Sequence, residues 1–331
     1  MDDIARWSNE DRKDLFAETA AKMHVVPAIA EKDFWVVWVL DKLFADEQLK
    51  TIFQFKGGTS LSKAFGLIQR FSEDIDLILD WRRVTDQDPC QPRSKNQQAR
   101  FNEEINNQAR LYIEQELLPQ LNRLLNPICQ CQMHESDGHS IYVRYPEAFK
   151  NAYLRPDVLL EIGPLAAWSP SETIEICSYA ATYFPKVFKK AKCQVPTLMA
   201  KRTFWEKATI LHQEAHRELD KLMPPRYSRH YYDMAMLATS DICIDALADL
   251  NLLVSVVDFK QCFYPSAWAK YDLAKPGSFR LLPSAKRFAE IKQDYAKMQT
   301  MLFGEVPNFE ILLQTLSNLE KEINQLGHHD K

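Results

Sequence analysis

Apolar positions fall into two regimes. Up to about residue 195, short apolar runs at period two alternate with helical stripes, and beyond it the pattern is helical throughout. Ser8-Asn9-Glu10-Asp11 predicts a helix to about Met23, with Ser8 as cap and Asp11 at the capping-box position. Pro27 opens a second helix. Its segment Phe34-Trp35-Val36-Val37-Trp38-Val39-Leu40 is apolar nearly all round, as packing between a sheet and another layer requires. Ile52, Phe53 and Phe55 predict a strand ending at Lys56-Gly57-Gly58. A short helix follows, with Leu61, Ala64 and Phe65 on its apolar face and Gly66 as its stop.

In Asp74-Ile75-Asp76-Leu77-Ile78-Leu79 acids alternate with apolar residues, so both carboxylates leave one face of a strand while Ile75 and Leu77 enter the core. Residues 84–98, with Pro89 and Pro92, read as an exposed loop, and 99–125 as a helix broken at Pro119. Two short strands, 129–131 and 141–145, flank the hairpin signal Asp137-Gly138, and another strand runs through Val158-Leu159-Leu160-Glu161-Ile162. Pro196 predicts a domain boundary and the opening of a helix through about His216; further helices are expected near 245–263, 284–303 and 307–326. The fold class is α+β: a mixed sheet flanked by helices over residues 1–195, then a helical C-terminal domain over 196–331.

The chemistry centres on residues 53–79. Two glycines after a strand permit a tight turn and close backbone approach, and Thr59 and Ser60 bring hydroxyls to a helix start, where unpaired N–H groups favour an anion. Two carboxylates on one strand face repel unless a cation lies between them, which points to Mg²⁺. A lone D-x-D is also what any half-exposed strand can show. Its place one helix after a glycine turn would put a triphosphate and metal ions side by side.

The run Gly57-Gly58-Thr59-Ser60-Leu61 followed by Arg70-x-Ser72-x-Asp74-x-Asp76-Leu77 resembles the first motif of nucleotidyltransferases of the AbiEii/AbiGii type, toxins of type IV toxin–antitoxin pairs. The resemblance extends from about Glu31 to Met234. It implies a nucleotidyltransferase-like sheet, an NTP substrate, and a third carboxylate on a strand beside the D-x-D strand. Glu161 takes that role, because an unpaired acid between Leu160 and Ile162 would be costly to bury without a cation; Asp157, on the same face, is the alternative. Glu206-Lys207-Ala208 is similar to the family's second motif, whose lysine meets the triphosphate, with Lys201 a competing match. Arg226-Tyr227-Ser228-Arg229-His230-Tyr231-Tyr232-Asp233 is similar to its last motif: Arg229 stands at the lysine position, Asp233 at the final aspartate, and His230 replaces the first aspartate. On this reading Asp74, Asp76, Glu161, Lys207 and Asp233 are catalytic, and Asp74, Asp76 and Glu161 hold metal. Gly57, Gly58, Thr59, Ser60, Lys207 and Arg229 bind nucleotide.

A net charge of −4 excludes a protein that coats nucleic acid with its whole surface, so any RNA contact must be local. Lys186, Lys189, Lys190, Lys192, Lys201 and Arg202 form the densest basic stretch, with no acid among them. An RNA acceptor is therefore expected on Lys186, Lys189, Lys190, Lys192 and Arg202, and the resemblance supports an RNA 3′ end, in particular that of tRNA. Protein and small-molecule acceptors, and a non-catalytic nucleotide-binding or RNA-binding module, are the rival readings. The resemblance also implies a partner antitoxin and a role in phage defence.

Seven cysteines without a C-x-x-C pair read as reduced cytosolic thiols; Cys129-x-Cys131 with His134 and His139 reads as a strand and polar turn, not a metal site. His212-Gln213-Glu214-Ala215-His216 lacks the glutamate position of a zincin helix. Asp2 and Asp3 exclude a signal peptide, the longest apolar run, 34–40, is too short for a bilayer, and a cytoplasmic protein is expected. His328-His329 reads as a frayed end.

Overall fold

The computed structural model describes residues 1–150 and 154–326, so the terminal His328-His329 lies outside the described residues. The chain divides into two compact units, residues 1–65 with 71–198, and residues 66–70 with 199–331.

In the first unit, period-two segments assemble one mixed sheet, seven-stranded among the described residues. Its strands are β1 (Phe53–Lys56), β2 (Asp74–Leu79), β3 (Gln130–Met133), β4 (Ser140–Arg144), β5 (Asp157–Gly163), β6 (Ser171–Cys177) and β7 (Lys192–Leu198). The order is β3-β4-β5-β2-β1-β7-β6, with β2 parallel to β5 and β1 parallel to β7. The D-x-D strand is thus central, buried on its Ile75 and Leu77 side. The helix Pro27–Ala45 has proline at its first turn and buries Phe34, Trp35, Val37 and Leu40 completely, the aromatic core expected of an all-round apolar helix. Ser8 caps the helix Asn9–Met23, accepting from the Asp11 N–H.

Several boundaries differ from the sequence reading. The loop after β2 ends early: a helix Lys95–Tyr112 begins at the Ser94 cap, where Ser94 and Gln97 form a reciprocal capping box. Before Pro119 the helix widens into a π turn, Ile113–Leu117, and continues as Leu118–Leu125. The wider turn accommodates the proline ring that an α-helical ladder would reject. Pro196 does not open a helix. It lies inside β7, where Cys193, Val195 and Thr197 alternate inward at period two, and the helix starts at Ala200.

The second unit is helical, including Ala200–Ala215, Ser228–Ala238, Asp241–Leu247, Leu250–Phe263, Phe288–Met298 and Phe309–Gln325. The expected helix at 245–263 is therefore two, the second capped by Asp249. No helix among the described residues is long and apolar enough to cross a membrane.

Candidate active site

The first-unit site is built on the parallel pair β2 and β5. Register places Asp76 beside Glu161 and Asp74 beside Leu159, while Lys56 of β1 lies beside Asp76 and Ser140 of β4 beside Glu161. Lys56, Asp76, Glu161 and Ser140 thus form one row on one sheet face, with Asp74 two residues before Asp76 on the same face.

The turn expected at Gly57-Gly58 is tighter than the sequence suggests. The helix Gly57–Lys63 starts at Gly57 itself, at a φ of +83°, and a Cβ built there would lie 2.0 Å from Asp76 Oδ2. Only glycine fits this position. Thr59 and Ser60 are fully buried, and their hydroxyls donate inward, Thr59 to the Asp74 carbonyl at 2.5 Å and Ser60 to the Gly57 carbonyl at 2.9 Å. The Thr59 proton braces the helix against β2, and the Ser60 proton tightens the helix's own first turn.

Burial, then the neighbouring charges of Glu73 and Asp76, pushes the Asp74 carboxyl up, and Arg155 and Lys32 act against this. Asp74 Oδ1 and Asp157 Oδ1 are buried without a hydrogen-bond partner. Glu161, by contrast, is exposed, so the burial argument that selected it fails; Asp157, on the same face, is the buried acid of β5. Its place beside Asp76 still stands in the register.

Among the described residues, no three His, Cys, Asp or Glu side chains form a ready-made cage for a metal ion. Such a cage is not what Mg²⁺ usually takes: one or two carboxylates, waters and substrate phosphates suffice. An all-oxygen donor set with an orphaned buried Asp74 oxygen fits a hard divalent cation of that kind.

In the same unit, three consecutive charges of the helix Pro27–Ala45 are buried and diverge to different segments. Glu31 accepts from the Ala148 and Phe149 N–H groups, Lys32 donates to Glu73 at 2.7 Å and to the Arg155 carbonyl at 2.9 Å, and Asp33 accepts from Lys63 at 2.5 Å and from the Tyr179 N–H. The sequence reading missed this set. Its signal was a charged triplet directly ahead of the apolar run Phe34 to Leu40.

In the second unit, Lys207 is not a surface lysine. It is buried and reaches Asp233 Oδ2 at 2.7 Å. Asp233 is also gripped by Arg70, Nε to Oδ1 at 2.6 Å and a terminal guanidinium nitrogen to Oδ2 at 2.8 Å. Burial alone would raise the Asp233 pKa, but Arg70 and Lys207 outweigh it and hold the carboxyl well below its usual range. Arg70, quoted only as part of the first motif, is thus a partner of the last. His230, drawn well down by burial and then by Lys207 and Arg229, is a neutral imidazole whose Nδ1 is buried without a partner. Where the family motif has an aspartate, this chain carries no negative charge. The competing Lys201 pairs with Asp249 at 2.8 Å.

The basic stretch does not form an uncompensated patch. Lys189 pairs with Asp3 at 2.9 Å, Lys190 with Asp41 at 2.6 Å and Lys192 with Glu175 at 2.6 Å, while Lys186 is exposed. Arg202 is buried against Glu206. Acids distant in sequence supply the countercharge.

Neither rejected metal motif gains ligands. Cys129 and Cys131 are buried, with thiols pushed up to about 12 by burial. His212 accepts the Arg280 N–H on Nδ1 and bonds the Lys270 carbonyl through Nε2, occupying both ring nitrogens.

Several solved structures resemble the chain. One is MenT4, a nucleotidyltransferase toxin from Mycobacterium tuberculosis H37Rv, at 15% identity, covering 95% of this chain and 97% of that chain with a TM-score of 0.43. Another is JHP933 from Helicobacter pylori, at 16% identity, covering 91% of this chain and 98% of that chain with a TM-score of 0.35. Comparison with curated proteins gave no match. Residues 38–315 match the family described as nucleotidyl transferase AbiEii toxin, type IV TA system. The chain belongs to this family of nucleotidyltransferase toxins.

Proposed function

We propose that the chain moves a nucleoside monophosphate from an NTP onto the 3′ end of an RNA, with tRNA as acceptor, in a Mg²⁺-dependent reaction, as the toxin of a phage-defence pair in the cytoplasm. The carrying observation is the packing of the Gly57 turn on Asp76, in a row with Glu161 and next to Asp74.

Asp74, Asp76 and Glu161 would hold divalent cation. When bound, the cation supplies an activated acceptor hydroxyl and neutralises charge developing on the triphosphate. The backbone of Gly57 and Gly58 takes the phosphates at close range, with Thr59 and Ser60 bracing the turn through their inward hydroxyls. Lys207 and Arg229 provide positive charge for the triphosphate, and Asp233 holds Lys207. The acceptor oxygen bonds to the α-phosphorus, the bond to the bridging oxygen breaks, and pyrophosphate leaves.

Lys186, Lys189, Lys190, Lys192 and Arg202 are the residues proposed for RNA. The ion pairs of Lys189, Lys190 and Lys192 favour a second reading, in which the acceptor is a protein or small molecule. Incubating a whole-cell extract with each α-labelled NTP and separating RNA from protein decides between them. Label in RNA supports the first reading, and label only in protein or small molecules the second. No transfer and no pyrophosphate from any NTP leaves a nucleotide-binding module.

A further inference from the structure

One carboxylate in the helical unit serves two cations. Asp233 is completely buried, and its oxygens accept two bonds from Arg70 and one from Lys207. We infer that Arg70 is a positioning residue for Lys207, acting through Asp233; this rests on the assignment of Lys207 to the triphosphate proposed above.

The geometry supports this. A lysine stem has four rotatable bonds, and a single ion pair to a mobile carboxylate would not fix its ammonium. The two-pronged guanidinium grip fixes the plane of the carboxylate, so the oxygen that receives Lys207 has one place to be. Arg70 is itself held through its backbone. The neighbouring Gln69 N–H donates to the Tyr232 hydroxyl at 3.2 Å, the Gln69 carbonyl accepts from the Phe303 N–H at 3.0 Å, and Arg70 pairs with Leu302 as an isolated β-bridge. Successive residues 69 and 70 therefore dock on successive residues 232 and 233.

The test combines calorimetric titration of a non-hydrolysable NTP with steady-state kinetics and thermal melting of the full chain. Arg70→Lys keeps the charge and loses the two-pronged grip. It is expected to raise the NTP Kd and KM about tenfold while changing kcat less than about threefold, the signature of lost ground-state binding. Arg70→Met removes the grip but keeps the neutral Lys207–Asp233 pair, and melting temperature measured beside NTP affinity separates lost positioning from lost fold. NTP binding by Arg70→Lys at wild-type strength would overturn the inference. So would a folded Arg70→Met protein that binds NTP as tightly as wild type, because the grip would then be structural only. Lys207→Met binding NTP as wild type does would instead refute the assignment of Lys207 to the triphosphate, and the Arg70 inference with it.

Discussion

Gly57 lies so close against Asp76 that a Cβ on the glycine would fall 2.0 Å from the Asp76 Oδ2, and the glycine's φ of +83° is one that side-chain-bearing residues rarely adopt. The turn ending β1 and the acid in β2 therefore form one unit. Thr59 reinforces it by bonding the Asp74 carbonyl, so the glycine-turn helix is tied to both acids of the D-x-D strand.

Gly57→Ala should accordingly cost about 1–2 kcal/mol of stability from backbone strain alone, and should reduce transfer more than about tenfold by displacing Asp76. Gly163→Ala is the control: no heavy atom lies within 4 Å of its added Cβ, and it should leave both unchanged. Thermal melting and nucleotide transfer measured on both variants check this. A Gly57→Ala enzyme of full activity would refute the close packing.

Lys207→Ala should weaken nucleotide binding more than Lys201→Ala, because Lys207 is held on Asp233 in the buried cluster while Lys201 sits in a partly exposed pair with Asp249. Calorimetric titration with a non-hydrolysable NTP ranks the two. The reverse order would move the triphosphate contact to Lys201.

Much of this was legible in the sequence for a physical reason. Period-two alternation placed Asp74 and Asp76 on one strand face, Ser8 and Pro27 marked helix starts, and the thiols at 129 and 131 lie in the core as expected. These signals are local. What failed depended on partners far along the chain. The Lys189, Lys190 and Lys192 stretch looked uncompensated because its acids, Asp3, Asp41 and Glu175, lie elsewhere in sequence. Glu161 looked buried between two apolar residues, yet it is exposed while Asp157 and Leu159 on its own strand face are buried. Pro196 looked like a helix start because its signal outweighed a short strand pattern. Arg70 and Asp233 are 163 positions apart, and no spacing rule joins them.

If RNA is the acceptor, tRNA affinity should fall steeply with salt, and changing Lys189, Lys190 and Lys192 together to Ala should lower the log–log slope by about one per contact removed. Binding of bulk tRNA at several salt concentrations measures both slopes. Identical slopes would discard these lysines as phosphate contacts.

His212 predicts a pH dependence of stability in the helical unit. Burial draws its pKa down to about 4 from the ordinary 6.5, so the unfolded chain takes up the proton first as pH falls. Its contribution is neutral above pH 6.5 and destabilising below, growing to about 3 kcal/mol by pH 4. Chemical denaturation across this range should show the loss, and His212→Asn should flatten it. A wild-type profile unchanged by that substitution would contradict the burial argument.

The most direct test of the account is pyrophosphate release from each NTP in the presence of Mg²⁺, comparing wild type with Asp76→Ala. Removing Asp76 takes away one proposed cation ligand and one of two like charges on the strand, so the variant should melt at or above the wild-type temperature and release no pyrophosphate. A folded Asp76→Ala protein that releases pyrophosphate at the wild-type rate would contradict the assignment of the D-x-D strand to the reaction.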